Sequence, residues 1–247
     1  MLKRSALFHP AMPDPALLET IITRRRLVAA SALGAGAAAL GGCGVLGPDW
    51  RYRYRLTGWV DCDGTAAHGS SVIEVTRTRG YNEIGGTVRG EAVAIDLPGG
   101  KTLFLLLSSG DLGIDWGMWM PHHAFAATLD SAATVDGKVL DRLAHSQGAS
   151  ATLAATDYPT MVRFRDTADP ASIERVDPAN LAASFGEGAR FKGITIQLTD
   201  DRVTTGITGR LPWLTRQRGG LIRIPPDVAT GDGPFGAAIT AGDFKRG

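Results

Sequence analysis

Two adjacent histidines, His122 and His123, are the residues of this chain whose type comes closest to metal or acid–base chemistry, and Asp115 lies shortly before them. Zinc sites in proteins take ligands at helical or turn spacing, such as H-x₃-H or C-x₂-C. Adjacent side chains of a helix point in different directions, so both rings reach one ion only in an irregular loop. We therefore predict no metal and no cofactor, with one ring buried and the other solvated at a helix start. A hydrolytic site around Asp115, His122 and His123 is the alternative.

Three of the five tryptophans, Trp116, Trp119 and Trp213, lie in two short apolar segments, WGMWMP and LPWL. If these segments are exposed, such a surface suits a protein partner or an apolar ligand. If they are buried, they form the hydrophobic core at one end of the fold. We favour the core interpretation and keep the ligand or partner surface as the alternative.

Ser70 and Cys62 are the candidate nucleophiles, and the sequence around each argues against catalysis. Ser70 follows His68, but the G-x-S-x-G pattern that places a catalytic serine on a sharp strand-to-helix turn is missing. Cys62 lies between Asp61 and Asp63, and neighbouring carboxylates raise the pKa of a thiol and suppress the reactive thiolate. We therefore predict structural roles for both residues.

The N-terminal part of the chain has the pattern of an export signal. Arg24, Arg25 and Arg26 supply positive charge, and residues 27–42 form an uncharged run, rich in Ala and Gly, that stops at Cys43. A run of this length is shorter than the roughly 20 apolar residues that a membrane-spanning helix needs. We predict that residues 1–42 are a signal peptide, in which residues 1–22 are either an over-long extension or the result of a misassigned start codon.

Leu40-Gly41-Gly42-Cys43 resembles the lipobox of bacterial lipoproteins. The resemblance implies cleavage before Cys43, a diacylglycerol on its thiol and a third acyl chain, such as palmitate, on the new amino group. One chain binds a membrane only marginally, whereas three hold a protein there. The residue after the cysteine is Gly44 rather than aspartate, which by the same resemblance implies the periplasmic face of the outer membrane rather than the inner membrane.

Thr23-Arg24-Arg25-Arg26-Leu27-Val28 is similar to the twin-arginine export motif, although Val28 replaces the usual lysine. The similarity implies export of an already folded protein. The general secretory route stays open as the alternative, because any basic signal-peptide region can hold adjacent arginines.

A second resemblance covers much of residues 51–214, in the segments YRYRLT, GSSVIEV, GEAVAIDLPGGKTLFLLL, ADPASIERVDPANLAASFG and TTGITGRLPWL. These segments resemble a group of uncharacterised proteobacterial envelope proteins. The group has no assigned activity, so the resemblance implies a location in the cell envelope and nothing about chemistry.

The charge of the chain argues against nucleic acid as a partner. Residues 1–42 hold five of the 26 Lys and Arg and two of the 25 Asp and Glu, so residues 43–247 carry 21 basic and 23 acidic side chains, a formal net charge of −2. Binding to phosphate backbones requires a clustered basic surface, and this net charge gives no such electrostatic footprint.

Hydrophobic periodicity predicts strands rather than long helices. Residues 51–56 alternate arginine with Tyr or Leu, which is typical of a half-buried strand, and residues 103–107 form a continuous apolar run that predicts a strand buried on both faces. Helices are predicted over 121–130, where Pro121 suits the first turn, and over 178–185, between the N-cap Asp177 and the terminating Gly186. Residues 225–247 read as a Gly- and Pro-rich tail that covers the surface or frays.

These patterns predict a mainly β, or α+β, fold: a single antiparallel β-sandwich or open barrel with two or three short helices. The expected organisation is a lipidated cysteine and short linker (43–50), a β-rich globular domain (51–224) and a tail (225–247). We expect a lipid-anchored cell-envelope protein whose domain binds or supports an envelope protein partner without catalysis. A small envelope hydrolase and a carrier or sensor of an apolar ligand are the alternatives.

Overall fold

A computed structural model of the protein describes residues 49–81, 83–110, 113, 115–129, 136–224 and 233–247. Within these residues the strands are β1 (Trp50–Cys62), β2 (Thr65–Arg79), β3 (Ile84–Glu91), β4 (Val93–Leu97), β5 (Lys101–Leu105), β6 (Ser150–Leu153), β7 (Met161–Phe164), β8 (Ile173–Arg175), β9 (Ala189–Leu198) and β10 (Lys245–Arg246). The α-helices are α1 (Trp116–Ala124), α2 (Ala126–Leu129), α3 (Gly137–His145), α4 (Leu181–Phe185), α5 (Ile207–Arg210), α6 (Phe235–Ala238) and α7 (Ala241–Phe244).

The strands form two antiparallel sheets. The larger sheet has the order β10-β3-β2-β1-β9-β6, and the smaller one has the order β4-β5-β7-β8. The mainly β, antiparallel prediction is therefore confirmed, and neither sheet closes into a barrel. The described residues contain seven short α-helices, more than the two or three expected. Most span only four or five residues, which is too short for a helical hydrophobic period to show in the sequence.

The alternation along β1 sets the inner and outer faces of the larger sheet. Tyr52, Tyr54 and Leu56 are at most 3% exposed and belong to the main core, whereas Arg51 on the outer face is exposed. This burial pattern confirms the period-2 prediction, because successive side chains of a strand point to opposite faces.

Two glycines let the sheets approach each other. Gly58 of β1 and Gly69 of β2 are paired in register on the inner face of the larger sheet. A Cβ atom on Gly69 would lie only 2.1 Å from the carbonyl oxygen of Ala94 in β4. No side chain fits in that space, so the backbone of β4 packs directly on β2.

The apolar run at residues 103–107 is buried on both faces, as predicted. Leu103, Leu105 and Leu107 point into the main core, while Phe104 and Leu106 point into a second core on the other side of the smaller sheet. The second core is completed by apolar side chains from the C-terminal part of the chain, including Ile207, Leu211, Leu214, Leu221, Ile239 and Phe244.

The C-terminal segment differs from the expected surface tail. Residues 225–232 lie outside the described residues, but residues 233–247 form α6, α7 and β10. Phe244 is fully buried, and Lys245 and Arg246 pair with Glu91 and Gly90 of β3. The segment is ordered because Phe244 supplies apolar area to the second core, although its composition is rich in Gly and Pro.

Helix α1 begins earlier than predicted, at Trp116 instead of Pro121. A proline inside a helix has no N–H to donate to the carbonyl four residues earlier, here that of Gly117. The buried hydroxyl of Tyr54 donates to this carbonyl oxygen at 2.6 Å instead. This bond satisfies the free carbonyl and fastens α1 to β1.

No helix among the described residues is long and apolar enough to cross a membrane.

Candidate functional site

The residues of the predicted signal and anchor, Arg24, Arg25, Leu40, Gly41, Gly42 and Cys43, lie outside the described residues. The remaining candidate residues lie within them. They fall into two groups, one on α1 and one near the C-terminal helices, and the structure separates these groups.

Trp116 and Trp213 belong to different hydrophobic cores. Trp116 is 3% exposed in the main core, and its Nε1 donates to the carbonyl oxygen of Asp157 at 2.9 Å. Trp213 packs on Phe164 and Phe244 at the second core. Trp116 and Trp213, two of the three residues of the predicted tryptophan surface, therefore share no common surface, and core packing accounts for Trp116.

The carboxylate that meets a histidine is Asp157, not Asp115. His123 Nδ1 lies 3.3 Å from Asp157 Oδ1, while the Asp115 carboxylate lies 3.8 Å from Arg246 Nη1. His122 is 5% exposed, and His123 is half-buried, so the pair divides into a buried and a partly solvated ring. Within the described residues, no three His, Cys, Asp or Glu side chains group as a metal site would need.

An uncompensated arginine lies beside His122. Arg77 of β2 is 1% exposed, and its guanidinium carbon lies 4.7 Å from the ring centre of Trp119. Among the residues that the structure describes, neither Nε nor Nη1 of Arg77 has a hydrogen-bond partner, and neither ring nitrogen of His122 has one. Burial lowers the pKa of Arg77, and burial, His123 and Arg77 together lower the pKa of His122.

The lowered pKa of His122 predicts a loss of stability in mild acid. Because the unfolded chain takes up the proton nearer the ordinary pKa of 6.5, acid favours unfolding as the pH falls below that value. The loss stops once the pH falls below the pKa of the folded state. We expect the wild type to lose up to about 1.4 kcal/mol per pH unit in this window relative to His122→Gln, which does not titrate. Urea unfolding measures the free energy of unfolding of both proteins between pH 7.5 and pH 5. The same dependence on pH in wild type and His122→Gln would contradict the prediction.

A basic cleft of about 390 Å³ lies on the outer face of the larger sheet, across β1, β3 and β10. It was missed in the sequence because its residues come from separate segments. Its basic side chains are those of Arg53, Arg89, Arg202, Lys245 and Arg246, and its remaining lining residues are Gly90, Glu91, Val203, Thr204, Thr205 and Gly247. We call this site the basic cleft.

Buried carboxylates hold the cations of the basic cleft in place. Glu74 of β2 lies between Arg53, whose Nε is 2.7 Å from Oε2, and Arg89, whose Nε is 3.4 Å from Oε1. Glu91 accepts from the backbone N–H of Ile207 at 2.8 Å and lies 3.3 Å from Lys245 Nζ. Both carboxylates are at least 90% buried, so they orient the cations from behind and leave the mouth of the cleft positive.

The segment after β9 is hydrogen-bonded to β2 and carries Arg202, an exposed cation of the basic cleft. Thr204 accepts from the backbone N–H of Val72 through Oγ1 at 2.8 Å and donates its own backbone N–H to the Val72 carbonyl at 3.1 Å. Arg202, two residues earlier, is exposed. No described residue forms an ion pair or side-chain hydrogen bond with Arg202.

A second cavity, of about 550 Å³, lies beside the start of β7. Its charged lining residues are Arg175 and Asp177, which have opposite signs. This cavity therefore has no net charge that would select a ligand, whereas the basic cleft does.

The structure is that of a two-sheet antiparallel β protein with a cation-lined cleft. Comparison with known proteins finds no match: no family profile, no curated protein and no solved structure is significantly similar to this chain. Function therefore has to follow from the residues themselves.

Proposed function

We propose that this chain is a lipid-anchored protein of the bacterial cell envelope whose β-rich domain binds a partner without catalysing a reaction. The anchor is the acylated Cys43, and the expected location is the periplasmic face of the outer membrane. The signal-like pattern of residues 24–43 supports the anchor. β1 begins at Trp50, and seven residues span at most about 25 Å when fully extended, so the domain would remain close to the bilayer.

The basic cleft is the observation that carries the binding role. Three of its cationic side chains, those of Arg53, Arg89 and Lys245, are already positioned by Glu74 and Glu91, so these three lose little side-chain freedom when a partner binds. Glu91, the carboxylate that lines it, accepts from Ile207 through Oε2 and forms an ion pair with Lys245 through Oε1, and its side chain is only 3% exposed, so a substrate reaches it poorly as a general base. The cleft is therefore suited to binding an acidic group and poorly suited to acid–base chemistry.

The anchor is tested by Cys43→Ser. We expect wild-type protein in the membrane fraction and Cys43→Ser in the soluble fraction, because serine has no thiol to acylate. Cys62→Ser is the matched control, since Cys62 is the other cysteine and lies at the end of β1. It should remain with the membrane. The measurement is fractionation of cells that express each full-length variant.

Two results would contradict the anchor. One is Cys43→Ser protein that still sediments with membranes after a high-salt and alkaline wash. The other is a mature protein whose mass shows an unmodified Cys43 and an intact N-terminus. Either result would remove the envelope location with the anchor, because the location depends on the same residues.

A further inference from the structure

We infer that the basic cleft binds a phosphate group. The inference rests on the proposed function in taking the cleft as the binding site, and it adds the chemical class of the ligand. The group can belong to the headgroup of an anionic phospholipid or to a soluble phosphate compound, which share the same recognition chemistry.

An anion fits because part of the positive charge of the lining is uncompensated. Five basic side chains line the cleft, while Glu91 pairs with Lys245, Glu74 with Arg53 and Arg89, and Asp115 with Arg246. Three carboxylates against five cations leave two positive charges. Arg202 has no ionic partner within the described part of the chain, and the side chain of Arg89 is 56% exposed. Grouped like charges repel each other, so an anion in the cavity, either a ligand or an ion from the solvent, stabilises this arrangement of cations.

A phosphate fits better than a carboxylate because the donors come from several directions. Arg53 lies on β1, Arg89 on β3, Arg202 on the segment after β9 and Lys245 on β10. One planar guanidinium fork satisfies the two oxygens of a carboxylate, whereas the oxygens of a phosphate are tetrahedral and accept from donors on different sides. The hydroxyl of Thr205 adds a neutral donor at the same wall.

The size of the cleft agrees with a phosphate that carries a substituent. Its volume of about 390 Å³ is at the small end of the range for ligand pockets. The cleft is open to solvent on one side, as the exposure of Arg89 and Lys245 shows. A terminal phosphate can therefore enter while the rest of its molecule stays outside.

The experiment titrates inorganic phosphate into the full-length protein in an uncharged detergent and follows binding by calorimetry. We expect saturable binding that weakens about 10-fold in Arg202→Ala and about 100-fold in Arg89→Ala/Arg202→Ala, since each loses a charge-assisted hydrogen bond. Both side chains are exposed, so the variants should fold normally, which circular dichroism checks. Arg216→Ala, an exposed arginine outside the cleft, is the matched control and should bind within 2-fold of wild type.

A second arm identifies the source of the phosphate. Full-length Cys43→Ser protein is sedimented with vesicles of phosphatidylcholine alone or mixed with phosphatidylglycerol. Sedimentation with the mixed vesicles that is lost in Arg89→Ala/Arg202→Ala indicates a lipid headgroup. Phosphate binding without sedimentation indicates a soluble ligand, and either result supports the inference.

The inference is overturned if wild-type protein shows no saturable phosphate binding, or if the arginine variants bind as well as the Arg216→Ala control. Preference for acetate over phosphate would also overturn it. None of these results affects the fractionation of Cys43→Ser, so a failure of the phosphate site and a failure of the anchor are distinguishable.

Discussion

Gly69→Ala is expected to lower the free energy of unfolding by about 3 kcal/mol, near the upper end of what overpacking usually costs. The new Cβ atom would lie 2.1 Å from the carbonyl oxygen of Ala94 and 2.8 Å from its carbonyl carbon. Both are backbone atoms of β4, which pairs with β5 over its whole length. The clash can therefore be relieved only by moving one sheet away from the other.

Two further glycines provide matched controls. Gly58→Ala would meet the side-chain ends of Ile95 and Leu105 at 2.8 and 2.9 Å, which can rotate, so about 1 kcal/mol is expected. Gly85→Ala meets nothing within 4 Å in β3 and should be neutral or stabilise by about 0.5 kcal/mol, because the unfolded chain loses freedom. Urea unfolding measures all three. Equal stability of Gly69→Ala and Gly85→Ala would show that the sheets do not pack this closely.

Arg77→Met is expected to raise the free energy of unfolding by about 2 kcal/mol. Each buried donor without a partner costs about 1–3 kcal/mol, and Arg77 has two, Nε and Nη1. Methionine is also long and unbranched, and its sulfur packs well on an aromatic ring such as that of Trp119. Loss of the cation–π contact with Trp119 offsets part of the gain, by about 1 kcal/mol.

The control for Arg77→Met is Arg79→Met, two residues along the same strand. Arg79 is exposed and its guanidinium carbon lies 5.3 Å from the ring centre of Trp50, so its replacement should lower the stability by about 0.5–1 kcal/mol, a change of the opposite sign. Arg77→Met should also move the pKa of His122 back toward its ordinary value, because Arg77 is one of the charges that lower it. Histidine proton chemical shifts measure this. A strongly destabilised Arg77→Met protein would show that the guanidinium has a compensating partner in solution.

Local patterns predicted the parts of the fold in which neighbours in sequence are neighbours in space. The alternation of Tyr52, Tyr54 and Leu56 with arginines predicted the two faces of β1. Asp177 was predicted as the N-cap of a helix over 178–185; its carboxylate accepts from the backbone N–H of Ala179 at 2.8 Å, but it caps a 3₁₀ helix (Pro178–Asn180) that precedes α4. Gly186 was predicted to stop the helix, and it has a φ of 115°, which favours glycine. Each of these signals lies within a few residues, so one sequence window contains it.

The helix at Pro121 shows where such a window is insufficient. Proline favours the first turn of a helix because its missing N–H costs nothing there. In α1 it lies in the interior, because the hydroxyl of Tyr54, far away in the chain, satisfies the carbonyl of Gly117. A local preference was overruled by a tertiary hydrogen bond that no local pattern contains.

The candidate site was decided entirely by tertiary structure. Trp116 and Trp213 come from two similar short apolar segments, but they lie in separate cores, because the smaller sheet stands between the two cores. The basic cleft joins Arg53, Arg89 and Arg202 with the C-terminal strand, and these residues are too far apart in the sequence for one segment to indicate it.

The amino-acid sequence by itself determined the strand-rich class of this protein, the faces of its strands and the export pattern that ends at Cys43. These follow from periodicity and short motifs, which act over a few residues. Only the tertiary structure decided which charged side chains share a cavity and which are buried without a partner. The physical reason is that a charge acts through space, and antiparallel pairing brings together residues from opposite ends of the chain.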